Sequence, residues 1–239
     1  MCNKCEQTTR RQFLALSSAG LVAAGIAGHG LMSKPAYASG KGTSMKPDEA
    51  LAKLKEGNAK YVASPELCEA ELGSRRAQTA NGQAPWAAIL SCADSRVTPE
   101  LVFGGRNIGE LFVCRNAGNI ADFATIGTLE YGTEHLGVPL IVVMGHTKCG
   151  AITAACDAAL NGNKFSGALA QLVDVVLPVA KDLCADGKVT TNVIRASASQ
   201  TAKSIISGSK VVENLVSEGK VKVVSAIYDI DTGMVEFDA

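Results

Sequence analysis

Trp86-Ala87-Ala88-Ile89-Leu90-Ser91, then Leu111-Phe112-Val113-Cys114, then Pro139-Leu140-Ile141-Val142-Val143-Met144 are three short, nearly continuous apolar runs. A strand with one wet face alternates apolar and polar residues, whereas a strand buried on both faces of a parallel sheet has no reason to. Helical stretches lie between and after these runs. Asp122 to Leu136 and Cys149 to Leu160 read as crossovers, Leu169 to Cys184 and Asn192 to Glu218 as further helices, and Val221 to Tyr228 as a last strand. The alternation predicts an α/β fold with a mostly parallel central sheet flanked by helices. Asp231-Thr232-Gly233 offers a tight turn into Met234 to Phe237, a short strand or tail at an edge. Upstream, Leu51, Leu54, Tyr61 and Val62 recur near helical spacing within Pro47 to Ala63, which gives an amphipathic N-terminal helical arm that packs on the domain or on a partner subunit.

A chain of 239 residues, 47% hydrophobic and 19% charged, is long and apolar enough to bury its own core, which excludes a disordered chain. Its 23 basic and 23 acidic side chains balance only because residues 1–38 hold Lys4, Arg10, Arg11 and Lys34 against Glu6; the remainder is net −3. With neither a basic excess nor a basic stripe interleaved with aromatics, no nucleic-acid partner is expected. Thr9-Arg10-Arg11-Gln12-Phe13-Leu14, followed by uncharged residues from Gln12 to Ser33, resembles a twin-arginine export signal. Gly20, Gly25, Gly28 and Gly30 make that run a poor permanent anchor, and Ala36-Tyr37-Ala38 suits signal-peptidase cleavage before Ser39. The expectation is therefore a leader over residues 1–38, a single domain over 39–239, no stable membrane anchor after cleavage, and a periplasmic or secreted location. Cys2 and Cys5 depart with the leader.

Cys92-Ala93-Asp94-Ser95-Arg96 follows the first apolar run and His146-Thr147-Lys148-Cys149-Gly150 follows the third. Both clusters fall at strand carboxyl ends, the edge of an open parallel sheet where ligands bind, so residues 54 positions apart converge in one crevice. Cys92, His146 and Cys149 supply two thiolates and one imidazole, a set that suits zinc and leaves a fourth tetrahedral position open for water or substrate. Two residues apart, Asp94 and Arg96 can pair through a bidentate guanidinium that keeps Asp94 ionised. Asp94 can then accept a hydrogen bond or proton from a zinc-bound water, or swing onto zinc as a conditional fourth ligand. His135, inside the Asp122 to Leu136 helix, reads as a surface or packing residue. Cys156, seven residues after Cys149, reads as small buried packing.

Cys-x-Asp-Ser-Arg followed some fifty residues later by His-x-x-Cys-Gly resembles the beta-class carbonic anhydrases. Gly109 to Asn119, Leu129-Glu130-Tyr131 with Glu134 to Gly137, Gly145 to Ala151, Asn192-Val193 and Ala226 to Asp229 with Gly233 resemble family segments in the same order, across roughly Pro47 to Phe237. The resemblance implies one Zn2+ per chain on Cys92, His146 and Cys149, and a catalytic dyad of Asp94 and Arg96. It further implies that Gly150 lines the pocket beside the zinc-bound group. Gln83, nine residues before Cys92, matches a substrate-contacting glutamine of some members, although a glutamine in the turn Asn81 to Pro85 can equally be solvated. The implied reaction is reversible hydration of carbon dioxide to bicarbonate and a proton by a zinc-bound hydroxide, and the implied assembly is a homodimer or higher homo-oligomer. In a carbonic anhydrase whose zinc has three histidine ligands, the bound water has a pKa of about 7. Two thiolates donate more charge than imidazoles and make that water less acidic, which gives Asp94 a reason to orient and deprotonate it.

Two other readings use the same residues. A hydrolase of carbon disulfide or carbonyl sulfide shares the zinc set. A non-catalytic structural zinc protein needs a fourth permanent ligand, either Cys114 or a fixed Asp94. A phosphatase loop needs Cys-x5-Arg where this chain has Cys-x3-Arg, and the segment after the leader has no Cys-x-x-Cys for thiol exchange.

Overall fold

The structure is a computed structural model that describes residues 42–64, 72–104, 108–184 and 191–238. The expected leader over residues 1–38, its cleavage site and Cys68 lie outside the described residues. The elements in chain order are α1 (Pro47–Ala63), α2 (Leu72–Thr79), β1 (Ala87–Cys92), α3 (Pro99–Val102), β2 (Leu111–Asn116), α4 (Phe123–Glu130) running on into a π-helical turn (Tyr131–His135), β3 (Leu140–His146), α5 (Gly150–Asn161), α6 (Gly167–Leu183), α7 (Thr191–Gly208), α8 (Lys210–Ser217), β4 (Lys222–Tyr228) and β5 (Val235–Asp238).

The strands form one sheet in the order β2-β1-β3-β4-β5, with the first four parallel and β5 antiparallel at the edge. Every residue of β1 and β3 is buried, which is why those segments read as unbroken apolar runs. Successive side chains serve opposite faces. Ala88, Leu90, Cys92, Ile141 and Val143 join a core covered by the helices after β2, whereas Ala87, Ile89, Leu140, Val142 and Met144 join a second core beneath α1 and α3. Gly145 lets α7 close on the sheet, because a Cβ there would lie 3.0 Å from Ile194 Cγ2.

The helical arm packs on the domain. Its stripe of Ala50, Leu51 and Leu54 is buried, and Asn58 donates to the carbonyls of Val102 (3.1 Å) and Gly233 (2.8 Å) while accepting from the Val235 amide (2.8 Å). The helix starts at Pro47, whose missing N–H costs nothing at that position, and Glu49 accepts from the Lys46 amide at 2.9 Å. The long helical stretch Asn192 to Glu218 is two helices. Ser209 breaks it by accepting the Val212 amide through its side chain (3.1 Å) while donating to Glu130 at 2.6 Å.

Cys156 corrects the packing reading: it is disulfide-bonded to Cys184, 28 residues on, with Cα atoms 5.6 Å apart. Its spacing from Cys149 does place it on the buried face of α5, but the partner comes from the end of α6, which helical periodicity within one element does not reveal. A closed loop of 28 residues removes unfolded-chain entropy equivalent to about 3–4 kcal/mol. Replacing both cysteines by alanine is expected to lower the unfolding free energy by about that amount in guanidinium titrations, with a steeper transition because the uncrosslinked unfolded chain exposes more surface.

Candidate metal centre

The first four strands end on nearly one level. Cys92 closes β1 opposite Asn116, the last residue of β2, and His146 closes β3 opposite Tyr228, the last residue of β4. The sheet register therefore delivers Cys92 and His146 to the same edge, and Cys149 follows as the residue that caps α5. The ligand atoms of Cys92, His146 and Cys149 all lie within 4.8 Å of one another, and the three residues are 6%, 0% and 1% exposed.

The chemistry of this set fits a metal. His146 Nδ1 sits 2.9 Å from the Thr147 carbonyl, so this ring nitrogen carries the proton and Nε2 presents a lone pair. That Nε2 is buried and has no hydrogen-bond partner, a costly arrangement for a polar atom unless a cation takes the lone pair. The two thiols lie close enough for each to bias the ionisation of the other. A hydrogen bond from Cys149 lowers the Cys92 thiol to about 4 against the opposing effect of burial, with His146 and the Gly118 amide adding to the drop. Cys149 is pushed up, because it donates that bond and is itself buried. The Ala151 and Ile152 amides at the start of α5 act on Cys149 in the opposite sense, although neither reaches full capping geometry.

Asp94 and Arg96 form the expected fork. Arg96 Nε donates to Asp94 Oδ1 at 2.9 Å and Nη2 to Oδ2 at 2.6 Å, while the Arg96 amide donates to Oδ1 at 3.0 Å in an Asx turn. The guanidinium holds the Asp94 carboxyl well below the usual carboxylate range. Asp94 Oδ2 nevertheless lies only 3.9 Å from His146 Nε2, beside the ligand set. Cys114 does not join it: it sits within β2 opposite Leu90, and burial pushes its thiol up to about 11.

Gly150, the first residue of α5, is exposed, and a Cβ added there would meet nothing within 4 Å, so the chain leaves open space next to Cys149. Gln83 lies ahead of the strand that leads to the set. It occupies an isolated bridge ahead of β1, and the six residues of that strand alone carry the chain about 17 Å toward Cys92. His135 matches its reading, partly exposed beside Glu134 and against the Tyr131 ring.

A sequence model described as carbonic anhydrase matches residues 87–235, from the start of β1 into β5. The chain belongs to the beta-carbonic anhydrase family. It is 35% identical over 181 residues to a carbonic anhydrase of Mycobacterium tuberculosis, covering 75% of this chain and 87% of that one. With a carbonic anhydrase of Mycolicibacterium smegmatis the identity is 42% over 125 residues, covering 52% and 60%. The fold superposes with a TM-score of 0.58 on a beta-carbonic anhydrase of Aspergillus fumigatus (28% identical, 80% of this chain and 89% of that one). It superposes with a TM-score of 0.57 on the Coccomyxa beta-carbonic anhydrase in complex with acetazolamide (29% identical, 78% and 85%).

Within this beta-carbonic anhydrase framework, some residues of the resembling segments Gly109 to Asn119 and Gly145 to Ala151 carry roles that the sequence did not assign. Arg115 of β2 donates from Nε to the Cys92 carbonyl (3.1 Å) and from Nη2 to the Asp94 carbonyl (2.6 Å). The Gly118 amide, in a turn that requires φ +79°, donates to Cys92 Sγ at 3.4 Å. Lys148, at φ +59°, offers its carbonyl to Arg96 Nη2 at 3.3 Å and its ammonium to Asp231 at 2.6 Å. The strand-end rule that selected Cys92 and His146 applies equally to Arg115, which pairs in register with Ser91, and was the available sign.

Proposed function

We propose that the chain catalyses reversible hydration of carbon dioxide to bicarbonate and a proton, with one Zn2+ held by Cys92, His146 and Cys149. The observation that carries this reading is the buried Cys-His-Cys set, with its orphaned His146 Nε2, next to a carboxylate gripped by Arg96. When bound, Zn2+ supplies the Lewis acidity that turns a water into a nucleophile near neutral pH. His146 keeps the required tautomer through the Thr147 carbonyl. Arg96 keeps Asp94 ionised and holds it by both oxygens, so that Oδ2, 3.9 Å from His146 Nε2, would accept a hydrogen bond or proton from the attacking water. Carbon dioxide carries no charge and needs only a small space, of the kind left open at Gly150, while the bicarbonate product forms near the Arg96 guanidinium. Stopped-flow hydration by the zinc-loaded chain from Ser39 onward tests the reading, with carbonyl sulfide and carbon disulfide as parallel substrates. Turnover of carbon dioxide supports it; zinc without any hydration, or hydrolysis of the sulfur substrates alone, overturns it.

We further infer export by the twin-arginine route with loss of residues 1–38, and a homo-oligomeric state. The disulfide of Cys156 and Cys184 supports an oxidising destination. A route that carries folded protein lets Cys92 and Cys149 receive zinc in reducing cytoplasm beforehand. No helix among the described residues is long and apolar enough to cross a membrane. Changing Arg10 and Arg11 together to lysine is expected to retain the protein in the cytoplasm with its N-terminus uncleaved. Fractionation that finds the double variant at the wild-type location contradicts the export route.

A further inference from the structure

We propose that Arg115 is a positioning residue for the reaction, the clamp that fixes the backbone on which Cys92 and Asp94 are mounted; the proposal rests on the carbon dioxide reading above. β1 ends at Cys92, so the residues that follow lack a full strand ladder just where two functional side chains must be aimed. One ladder-like bond continues past that end, from the Ala93 amide to the Asn116 carbonyl at 3.0 Å. That bond leaves the peptide before Ala93 free to rotate about it, and the Asp94 carbonyl beyond is otherwise tied only within its own turn, by the Val97 amide at 3.0 Å. Arg115 removes that freedom by holding the carbonyl on each side of Ala93, at Cys92 (3.1 Å) and at Asp94 (2.6 Å). The fork suits this task, because a planar guanidinium spans two acceptors in fixed directions and an ammonium does not.

Asp94 is thereby gripped twice by different arginines. Arg96 holds its carboxylate, and Arg115 holds its main-chain oxygen, which also accepts the Val97 amide at 3.0 Å. Arg96 fixes the carboxylate relative to its own backbone, two residues away, and to the loop after β3 through the Lys148 carbonyl at 3.3 Å, but not to β2. Arg115 refers that backbone to β2 and hence to the sheet that also carries His146. Asp94 Oδ2 lies 3.9 Å from His146 Nε2, inside the 4.8 Å span of the ligand atoms themselves, so a small rotation of the Asp94 peptide decides whether the carboxylate faces a water or the metal set. The same strand end presents the Gly118 amide to Cys92 Sγ, so Arg115 and Gly118 fix Cys92 at its carbonyl and its sulfur.

The test compares Arg115→Ala, Arg115→Gln and Arg115→Lys with wild type in two forms, loaded with zinc for kinetics and with Co2+ for visible absorption. One metal per chain is expected in all of them, with kcat for hydration lowered about 10- to 100-fold and KM within about twofold, the range for groups that orient metal ligands. Arg115→Lys is expected to recover little, since charge without the fork cannot bridge two carbonyls. The cobalt band is expected to shift or change intensity in each variant, because the Cys92 ligand is less well oriented. Should Arg115→Ala unfold, Arg115→Gln and Arg115→Lys decide the matter. Wild-type kcat with an unchanged cobalt spectrum overturns the proposal, and so does a raised KM at constant kcat, which marks attraction of an anion instead. Full rescue by Arg115→Lys also overturns it. The cobalt spectra are read without reference to turnover, so a wild-type protein inactive on carbon dioxide sinks the functional reading while the clamp is still tested.

Discussion

Cys92→Ser, His146→Ala and Cys149→Ser each lower the zinc content of the purified protein from one per chain toward none, and hydration falls with it. Each variant removes one of only three protein donors, and the site cannot recruit water in its place easily: the three residues are 6%, 0% and 1% exposed. A serine hydroxyl stays protonated near neutral pH and does not offer the anionic sulfur that a zinc site takes from cysteine. His146→Ala empties a fully buried position and takes away the one donor whose lone pair has no partner within the chain. The Cys156–Cys184 pair supplies the control, because it lies on the same helical layer and does not belong to the ligand set. Substituting that pair lowers stability while leaving zinc in place. Metal analysis after dialysis reads the outcome, and full zinc retention in all three ligand variants overturns the site.

The parts of the molecule that the sequence made legible are those where burial leaves no freedom in residue choice. Residues 141–144 of β3 are wholly buried, so the strand shows as a continuous apolar run, and the glycine and polar residues beyond it mark where the chain leaves the sheet. Cys92 and His146 could be assigned to one crevice because both stand at strand ends, and a parallel sheet puts all such ends on one side. Arg115 was hidden for the opposite reason. It acts through backbone carbonyls, which every residue possesses, so no partner residue type betrays it. The pairing of Cys156 with Cys184 depends on how α5 packs against α6, a tertiary fact with no trace in either helix alone. Lys148 adopts a left-handed conformation that sequence would assign first to glycine, and its carbonyl is thereby available to Arg96.

Asp94→Asn and Arg96→Ala are expected to keep their zinc and lose about one to four orders of magnitude in hydration rate, the range for a general base or a group that positions one. Zinc stays because Cys92, His146 and Cys149 are untouched and cluster without help from Asp94. Asparagine preserves the shape of Asp94 and can still accept through its carbonyl, but it has no charge to take up a proton from water. Arg96→Ala acts from the other side. The two bonds at 2.9 and 2.6 Å that hold the carboxylate disappear, and so does the bond to the Lys148 carbonyl that ties the loop after β1 to the loop after β3. Freed from the guanidinium that holds it well below the usual carboxylate range, Asp94 either rises toward an ordinary acidity or closes its 3.9 Å separation from His146 Nε2 and takes the fourth ligand position. In the first the carboxylate stays ionised at neutral pH but is no longer aimed at the water, and in the second it is no longer free to accept, so both deprive the water of a positioned acceptor. Arg96→Lys discriminates between them: an ammonium keeps the charge and loses the fork, so partial recovery assigns the effect to charge, and no recovery assigns it to geometry. In the wild type, activity rises with pH, and the midpoint belongs to the water and Asp94 acting together and not to one residue. If Asp94→Asn and Arg96→Ala both retain zinc and hydrate carbon dioxide at the wild-type rate, the carboxylate and guanidinium have no part in the chemistry, and the cluster alone must account for it.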